Sequence, residues 1–133
     1  MFTVDVESFR LFLHVLAATV WVGGQITLGA LVPVLRRAGA DLPRVVARQF
    51  GRVAWTAFAV LIATGAWNMA VYDEKDRAGY DATIGVKLVF VVLSGVAAYV
   101  HQRGRSKAAL AAGGALALLF SLGALLLGIV LAQ

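Results

Sequence analysis

Four long apolar stretches leave this chain few ways to fold. A helix that crosses a bilayer needs about 20 mostly apolar residues, because the hydrocarbon core is about 30 Å thick and each residue adds about 1.5 Å. Such stretches run from about 11–35, 42–72, 83–101 and 108–132. The second begins with a polar, basic part and turns fully apolar near Val53. Only 14% of the residues are charged and 61% are hydrophobic, against about 25% charged in soluble domains. A soluble globule is excluded on that balance. The expected fold is an all-α integral membrane protein, a four-transmembrane-helix bundle in which residues 1–133 form a single membrane domain. The first ten residues carry Asp5 and Glu7 before Arg10, and the apolar run after them is too long for a signal-peptide core. The N-terminus is therefore expected to be retained.

The charges set an expected topology. Arg36, Arg37, Arg44, Arg48, Arg52, Arg103, Arg105 and Lys107 fall in the first and third connectors, against a single acid, Asp41. The N-terminal tail and second connector hold Arg10, Lys75 and Arg77 against Asp5, Glu7, Asp73, Glu74, Asp76 and Asp81. Basic connectors stay in the cytoplasm, which puts both termini outside. The net charge of +5 then reflects topology and is not a nucleic-acid footprint. In the first connector Asp41 is placed to cap a helix that Pro43 joins in its first turn. Arg44, Arg48 and Arg52 recur every four residues after it, a stripe suited to anionic headgroups at the membrane surface or to plain positive-inside anchoring.

Much chemistry is ruled out by what the chain lacks. It has no cysteine, hence no disulfide, thiolate metal site or cysteine nucleophile. No phosphate loop, zinc-protease helix or serine elbow is present, and no acid lies inside a span. A carrier driven by a buried carboxylate is not expected, no catalytic residue stands out, and whether the chain is an enzyme stays open.

Polar side chains inside the spans are costly and usually face a bundle interior, a cavity or a partner. They are His14, Trp21 and Gln25 in the first span, Thr64 and Asn68 in the second, Lys87 in the third and Ser121 in the fourth. His14, Trp21 and Gln25 are spaced near whole helical turns and share a face. In the expected topology His14, Asn68 and Lys87 lie at one level near the outer surface, where a bundle can converge them on one pocket. Each has a plainer alternative. His14 can bond a neighbouring helix or reach interfacial water, Asn68 can be interhelical glue, and Lys87 can snorkel outward. Trp21 is too deep for an aromatic belt and reads as packing or a cavity wall, whereas Trp55 and Trp67 read as belt residues. His101 stands about 21 Å from the level of Lys87 along its helix, so His14 and His101 are not expected to ligate one metal within a chain. Glycines on every span fit close helix packing, and Ala117 with Ser121 offers a small-residue dimer face.

Ordered along the chain, these residues resemble a known family. Leu13–Gly24 reads LHVLAATVWVGG, Arg48–Asn68 reads RQFGRVAWTAFAVLIATGAWN, and Ile84–Leu93 reads IGVKLVFVVL. His, Trp-x-Gly-Gly, Arg-x-Phe, Thr-Gly and Gly-x-Lys in this order are similar to the membrane domain of the copper-resistance D (CopD) family. The resemblance covers about residues 10–103 and carries onto His14, Trp21, Gly24, Arg48, Thr64, Gly65, Gly85 and Lys87. It implies copper handling across the bacterial inner membrane, uptake or delivery, with His14 as the metal ligand; apart from the resemblance, Met69 beside Asn68 near the outer surface is a conceivable second ligand. The His, Trp and Gly spacing with a third-span lysine also resembles HemJ-type membrane protoporphyrinogen oxidases. That likeness implies a haem b pocket with His14 on iron, Lys87 near a propionate and the porphyrin against Trp21. Here the third-span histidine, His101, stands at the cytoplasmic end. The leading expectation is copper handling through a pocket that includes His14, Trp21, Gln25, Asn68 and Lys87. The alternatives are haem binding in the same pocket, for redox or porphyrin chemistry, and a non-catalytic subunit of a larger membrane complex. Expected partners are the lipid bilayer and a second copy or complex subunit.

Overall fold

The structure is a computed structural model that describes residues 3–71 and 77–133. The expected end of the second helix at Tyr72 and most of the acidic second connector, Asp73 to Asp76, lie outside the described residues. All regular structure among the described residues is helical. It comprises α1 (Val6–Ala18), a π-helical turn (Thr19–Gly23), α2 (Gly24–Ala38), α3 (Leu42–Val71), α4 (Tyr80–Arg103) and α5 (Lys107–Leu131). The first three run on as a single helix, Val6–Ala38, and with α3, α4 and α5 they give four helices long and apolar enough to cross a membrane. The chain divides into two compact units, residues 1–72 and residues 73–133.

Each end signal in the sequence has a local cause in the structure. Asp5 precedes α1 in extended conformation, and its carboxylate accepts the Ser8 N–H at 2.8 Å. That bond holds the Asp5 carboxyl below its ordinary value. The Asp41 carbonyl accepts from the N–H groups of Arg44 and Val45, so α3 starts where Pro43 falls in its first turn. The expected cytoplasmic extension and the apolar second span are thus one continuous 30-residue helix. Gly79 precedes α4 at φ 81°, the left-handed region that favours glycine. Ser106 caps α5 by accepting the Ala109 N–H.

In the first unit, small residues bring the Val6–Ala38 helix close to α3. Ala17, Ala54, Ala57 and Gly51 are buried. A Cβ on Gly24 would run into the Phe50 ring, so the ring stands where Gly24 has no side chain. The π-helical turn inserts an extra residue into the helical register and carries Trp21 into the unit, where it is 4% exposed. Its ring lies 4.5 Å from Phe58 and 5.5 Å from Trp55, centroid to centroid. Trp55 also meets Phe58 edge-on at 5.5 Å. Trp55 therefore belongs to an internal aromatic cluster and is not simply a belt residue. Hydroxyls satisfy backbone carbonyls around the turn, Thr19 donating to Val15 and Thr27 to Gly23, each at 2.8 Å. Such local bonds are how interrupted helices stay satisfied in lipid.

The second unit is an antiparallel hairpin of α4 and α5, and α5 offers glycines to the large side chains of α4. Gly113 and Gly114 lie against the backbone and ring of His101, Gly123 against the Phe90 ring, and Gly128 against the Lys87 Nζ. Ser94, Ala117 and Ser121 are buried in the same unit, with both serines donating to carbonyls of their own helix. The Ala117 and Ser121 stripe is thus covered within the chain, and the exposed face of α5 carries Leu116, Leu119, Leu126 and Ile129 instead. His101 Nδ1 donates to the Leu110 carbonyl at 2.6 Å, tying the turn of the hairpin. Arg77 donates to the carbonyls of Val130 and Leu131 at the C-terminus of α5, where a cation suits the helix dipole.

A Cβ on Gly113 would lie 3.0 Å from the backbone of His101, whereas one on Gly85 meets nothing within 4 Å. Gly113→Val is therefore expected to destabilise the protein by about 1–3 kcal/mol, the usual range for overpacking. Gly85→Ala should be close to neutral. Thermal unfolding in detergent, followed by circular dichroism, checks both.

Candidate functional site

The site builds up along one face of α1. Arg10, His14, Ala17 and Trp21 fall four, three and four residues apart, the spacing that stacks side chains on a single helical face. Three of the four, Arg10, Ala17 and Trp21, are buried, and His14 is half-buried. The facing stretch of α3 supplies Thr64, 4% exposed, with Gly65, Trp67 and Asn68 around it.

The central contact is a hydrogen bond between His14 Nδ1 and Thr64 Oγ1 at 2.8 Å. A threonine hydroxyl has one proton to give. The Thr64 hydroxyl lies 2.7 Å from the Val60 carbonyl, which can only accept, so that proton goes to Val60. His14 Nδ1–H must then be the donor toward Thr64. Neutral His14 is held as the Nδ1–H tautomer, and its basic lone pair sits on Nε2. This is the arrangement found behind metal-binding histidines, where a second partner fixes the ring and its tautomer. Gly65 lies beside the ring, where a Cβ would meet His14 Cε1 at 3.6 Å, an ordinary van der Waals contact.

The other expected site residues have separate fates. Trp21 is two turns further along the same face, within the aromatic cluster. Gln25 follows the π-helical turn that contains Trp21 and is half-buried. Its side-chain amide donates to the Trp21 carbonyl at 2.9 Å, a backbone role on its own helix. Asn68 lies one turn beyond Thr64, with its Oδ1 buried and accepting no hydrogen bond from the described residues. Lys87 belongs to the second unit, half-buried, with its ammonium beside Gly128. Met69, the conceivable sulfur ligand, is 41% exposed. Arg44, Arg48 and Arg52 are all exposed on the first turns of α3, and Arg52 reaches Gln49 at 3.5 Å.

Arg10 was not legible as a site residue. Its charge and its acidic neighbours read as an aqueous tail, yet it lies inside α1 and is 2% exposed. Its guanidinium carbon sits 5.9 Å from the centroid of the Trp67 ring, within cation–π range. Its terminal nitrogen is 3.8 Å from a Glu7 carboxylate oxygen. The signal was its offset of one turn from His14, on the face that Ala17 and Trp21 continue. Phe50 was quoted only as part of a motif, and its role is to fill the space beside Gly24.

Among the described residues no group of three or more His, Cys, Asp or Glu side chains could hold a metal ion. The arrangement instead combines one oriented imidazole, a buried guanidinium, an amide oxygen and aromatic rings. Thr64→Val, isosteric but without the hydroxyl, would leave His14 Nδ1–H facing an apolar group. It is expected to lower stability by about 1–3 kcal/mol, whereas Thr64→Ser, which keeps the hydroxyl, should recover most of that loss. Thermal unfolding of the two variants in detergent checks this.

Comparison of the chain with protein-family models, with curated proteins and with solved structures finds no match.

Proposed function

We propose that this chain is a multi-pass membrane protein, with both termini on the outer face of a bacterial inner membrane, that holds a haem-type iron porphyrin at His14. The observation that carries the reading is the Thr64 hydrogen bond to His14 Nδ1. It leaves Nε2 as the basic ring nitrogen, the atom that would hold the iron. The donor set fits the group. His14 would hold the iron, Arg10 is a cation suited to a carboxylate, and Trp67 and the Trp21 cluster offer flat apolar surface. When bound, the porphyrin iron would supply a one-electron couple. The residues themselves have simpler tasks. Thr64 orients the imidazole, with Gly65 beside it, and the small residues of α1 and α3 exclude lipid from the contact.

Copper handling, implied by the CopD resemblance, is the second reading and uses the same nitrogen. The tautomer of His14 favours any metal that takes imidazole. A bare copper ion would meet a buried guanidinium one turn away and little sulfur, since Met69 is exposed. That like charge places copper behind the porphyrin.

The test is the optical spectrum of protein purified gently from cells with ample haem, before and after dithionite. A Soret band that shifts on reduction, and that His14→Ala removes, is expected. Thr64→Val should lower haem affinity about 10–100-fold, as loss of an outer partner does at metal sites. A featureless spectrum, or full haem content in His14→Ala, would overturn the reading. Stoichiometric copper lost in His14→Ala would move the assignment to copper.

A further inference from the structure

Charge divides α3 into two parts. No residue from Val53 to Val71 is charged, a length of about 28 Å that matches a hydrocarbon core of about 30 Å. Placed in a bilayer, that stretch fills the core and leaves Leu42 to Arg52 at headgroup level. These first turns carry Arg44, Arg48 and Arg52, all exposed and each about 6 Å along the axis from the next. Their other side packs within the first unit, where Gly51 and Ala54 are buried and the Phe50 ring fills the space beside Gly24. Val45 and Val53 adjoin the arginines and are 58% and 49% exposed. Arg36 and Arg37, in the last turn of α2, are exposed as well, and only Gly39 to Asp41 separate that helix from α3. Plain anchoring needs positive charge of either kind, yet all five cations of this connector are arginines. Arg36, Arg37, Arg44 and Arg48 make no ion pair or side-chain hydrogen bond with another described residue, and Arg52 has the neutral Gln49.

We propose that the stripe of Arg44, Arg48 and Arg52, with Arg36 and Arg37 at the same end of the unit, binds the phosphate of an anionic glycerophospholipid. The inference rests on the membrane part of the proposed function and is independent of His14. A guanidinium meets a phosphate with two parallel N–H groups, whereas a lysine meets it as a point charge. The level suits a lipid phosphate. Arg52 borders the core and Arg48 stands about 6 Å outside it, within a headgroup layer about 5–8 Å deep on each side. Arg44 lies one turn further toward water. Val45 and Val53, exposed next to the guanidiniums, meet the glycerol and the upper acyl carbons, as the apolar part of an interfacial helix does. A zwitterionic lipid brings the same phosphate with its own ammonium, so the surface selects lipids of net negative charge. An acidic protein would match the charge, but the arginines stand at the depth of lipid phosphates.

The experiment uses the full chain in detergent micelles, with phosphatidylglycerol and phosphatidylcholine of identical acyl chains as probes. Bound lipid is read by native mass spectrometry. Wild type is expected to hold phosphatidylglycerol about ten-fold more tightly than phosphatidylcholine, the value of a charged hydrogen-bonded contact. Combining Arg44→Gln, Arg48→Gln and Arg52→Gln should bring the two lipids to within about two-fold by the same reasoning. Taking the same charge from the third connector, with Arg103→Gln, Arg105→Gln and Lys107→Gln, should leave most of the preference. Combining Arg44→Lys, Arg48→Lys and Arg52→Lys keeps the charge and should lower the preference about three-fold, through loss of the paired N–H contacts. Equal retention of both lipids by wild type overturns the proposal. An equal fall in the two glutamine triples also overturns it, since the preference would then follow net charge. An undiminished preference in the lysine triple does the same, and decides the matter if the stripe's glutamine triple fails to fold by circular dichroism. Displacement of the lipid by equimolar glycerol phosphate would assign the arginines to a free phosphate, and displacement by polyglutamate to an acidic protein; either outcome sinks the lipid. Failure of the membrane reading is separable. A chain that stays in solution when detergent is removed, without entering vesicles, sinks that reading, whereas equal retention of both lipids by a chain that enters them sinks only this proposal.

Discussion

Inside a bilayer, apolar contact between helices gains little over contact with lipid, so close approach and internal hydrogen bonding must hold the helices together. Four helices of this chain are long and apolar enough to face that constraint, and both units place glycines opposite large side chains. Gly24 receives Phe50 and Gly65 receives His14 in the first unit; Gly113 and Gly114 receive His101, Gly123 receives Phe90 and Gly128 receives Lys87 in the second. Each missing Cβ lets a ring or a long stem lie against backbone. That closeness brings the polar ends within reach of partners. His14 finds Thr64 and His101 finds the Leu110 carbonyl only because the helices are close there.

The two histidines show how the same device gives different outcomes. Both donate from Nδ1, one to a hydroxyl and one to a backbone carbonyl. His101 does so at the turn of a hairpin, where the bond fastens α4 to the start of α5. His14 does so midway along a face that also carries Arg10 and Trp21, opposite Thr64 and beside Asn68. A cation, a basic nitrogen, an amide acceptor and aromatic rings on adjoining turns exceed what two packed helices require. That grouping is the physical ground on which a ligand is proposed for the first unit.

Much of the fold was readable from residue order alone. Apolar length placed all four helices, and Pro43 after Asp41 placed the start of α3 in the polar connector. His14 and Asn68 were readable because polar groups inside an apolar run stand out. Arg10 was not, since Asp5, Glu7 and Arg10 together look like a hydrated tail; helix α1 starts earlier because Asp5 caps it. The π-helical turn at Thr19–Gly23 was not legible either, since no composition rule signals such a turn; Gln25, just beyond it, donates to the Trp21 carbonyl. Trp55 misled because its position near a span end resembles a belt, whereas the partners that hold it, Trp21 and Phe58, come together only in the folded unit.

The central claim is that His14 presents Nε2 to a porphyrin while Thr64 holds Nδ1. The chain has two histidines, so nitrogen NMR of histidine-labelled protein reads both rings, with His101 as the internal control. Zinc protoporphyrin is a diamagnetic stand-in for haem and keeps the spectra sharp. The account predicts that adding it shifts His14 Nε2 strongly, leaves His14 Nδ1 protonated and leaves His101 unmoved. An unmoved His14 Nε2, or a shift at His101 instead, would contradict it.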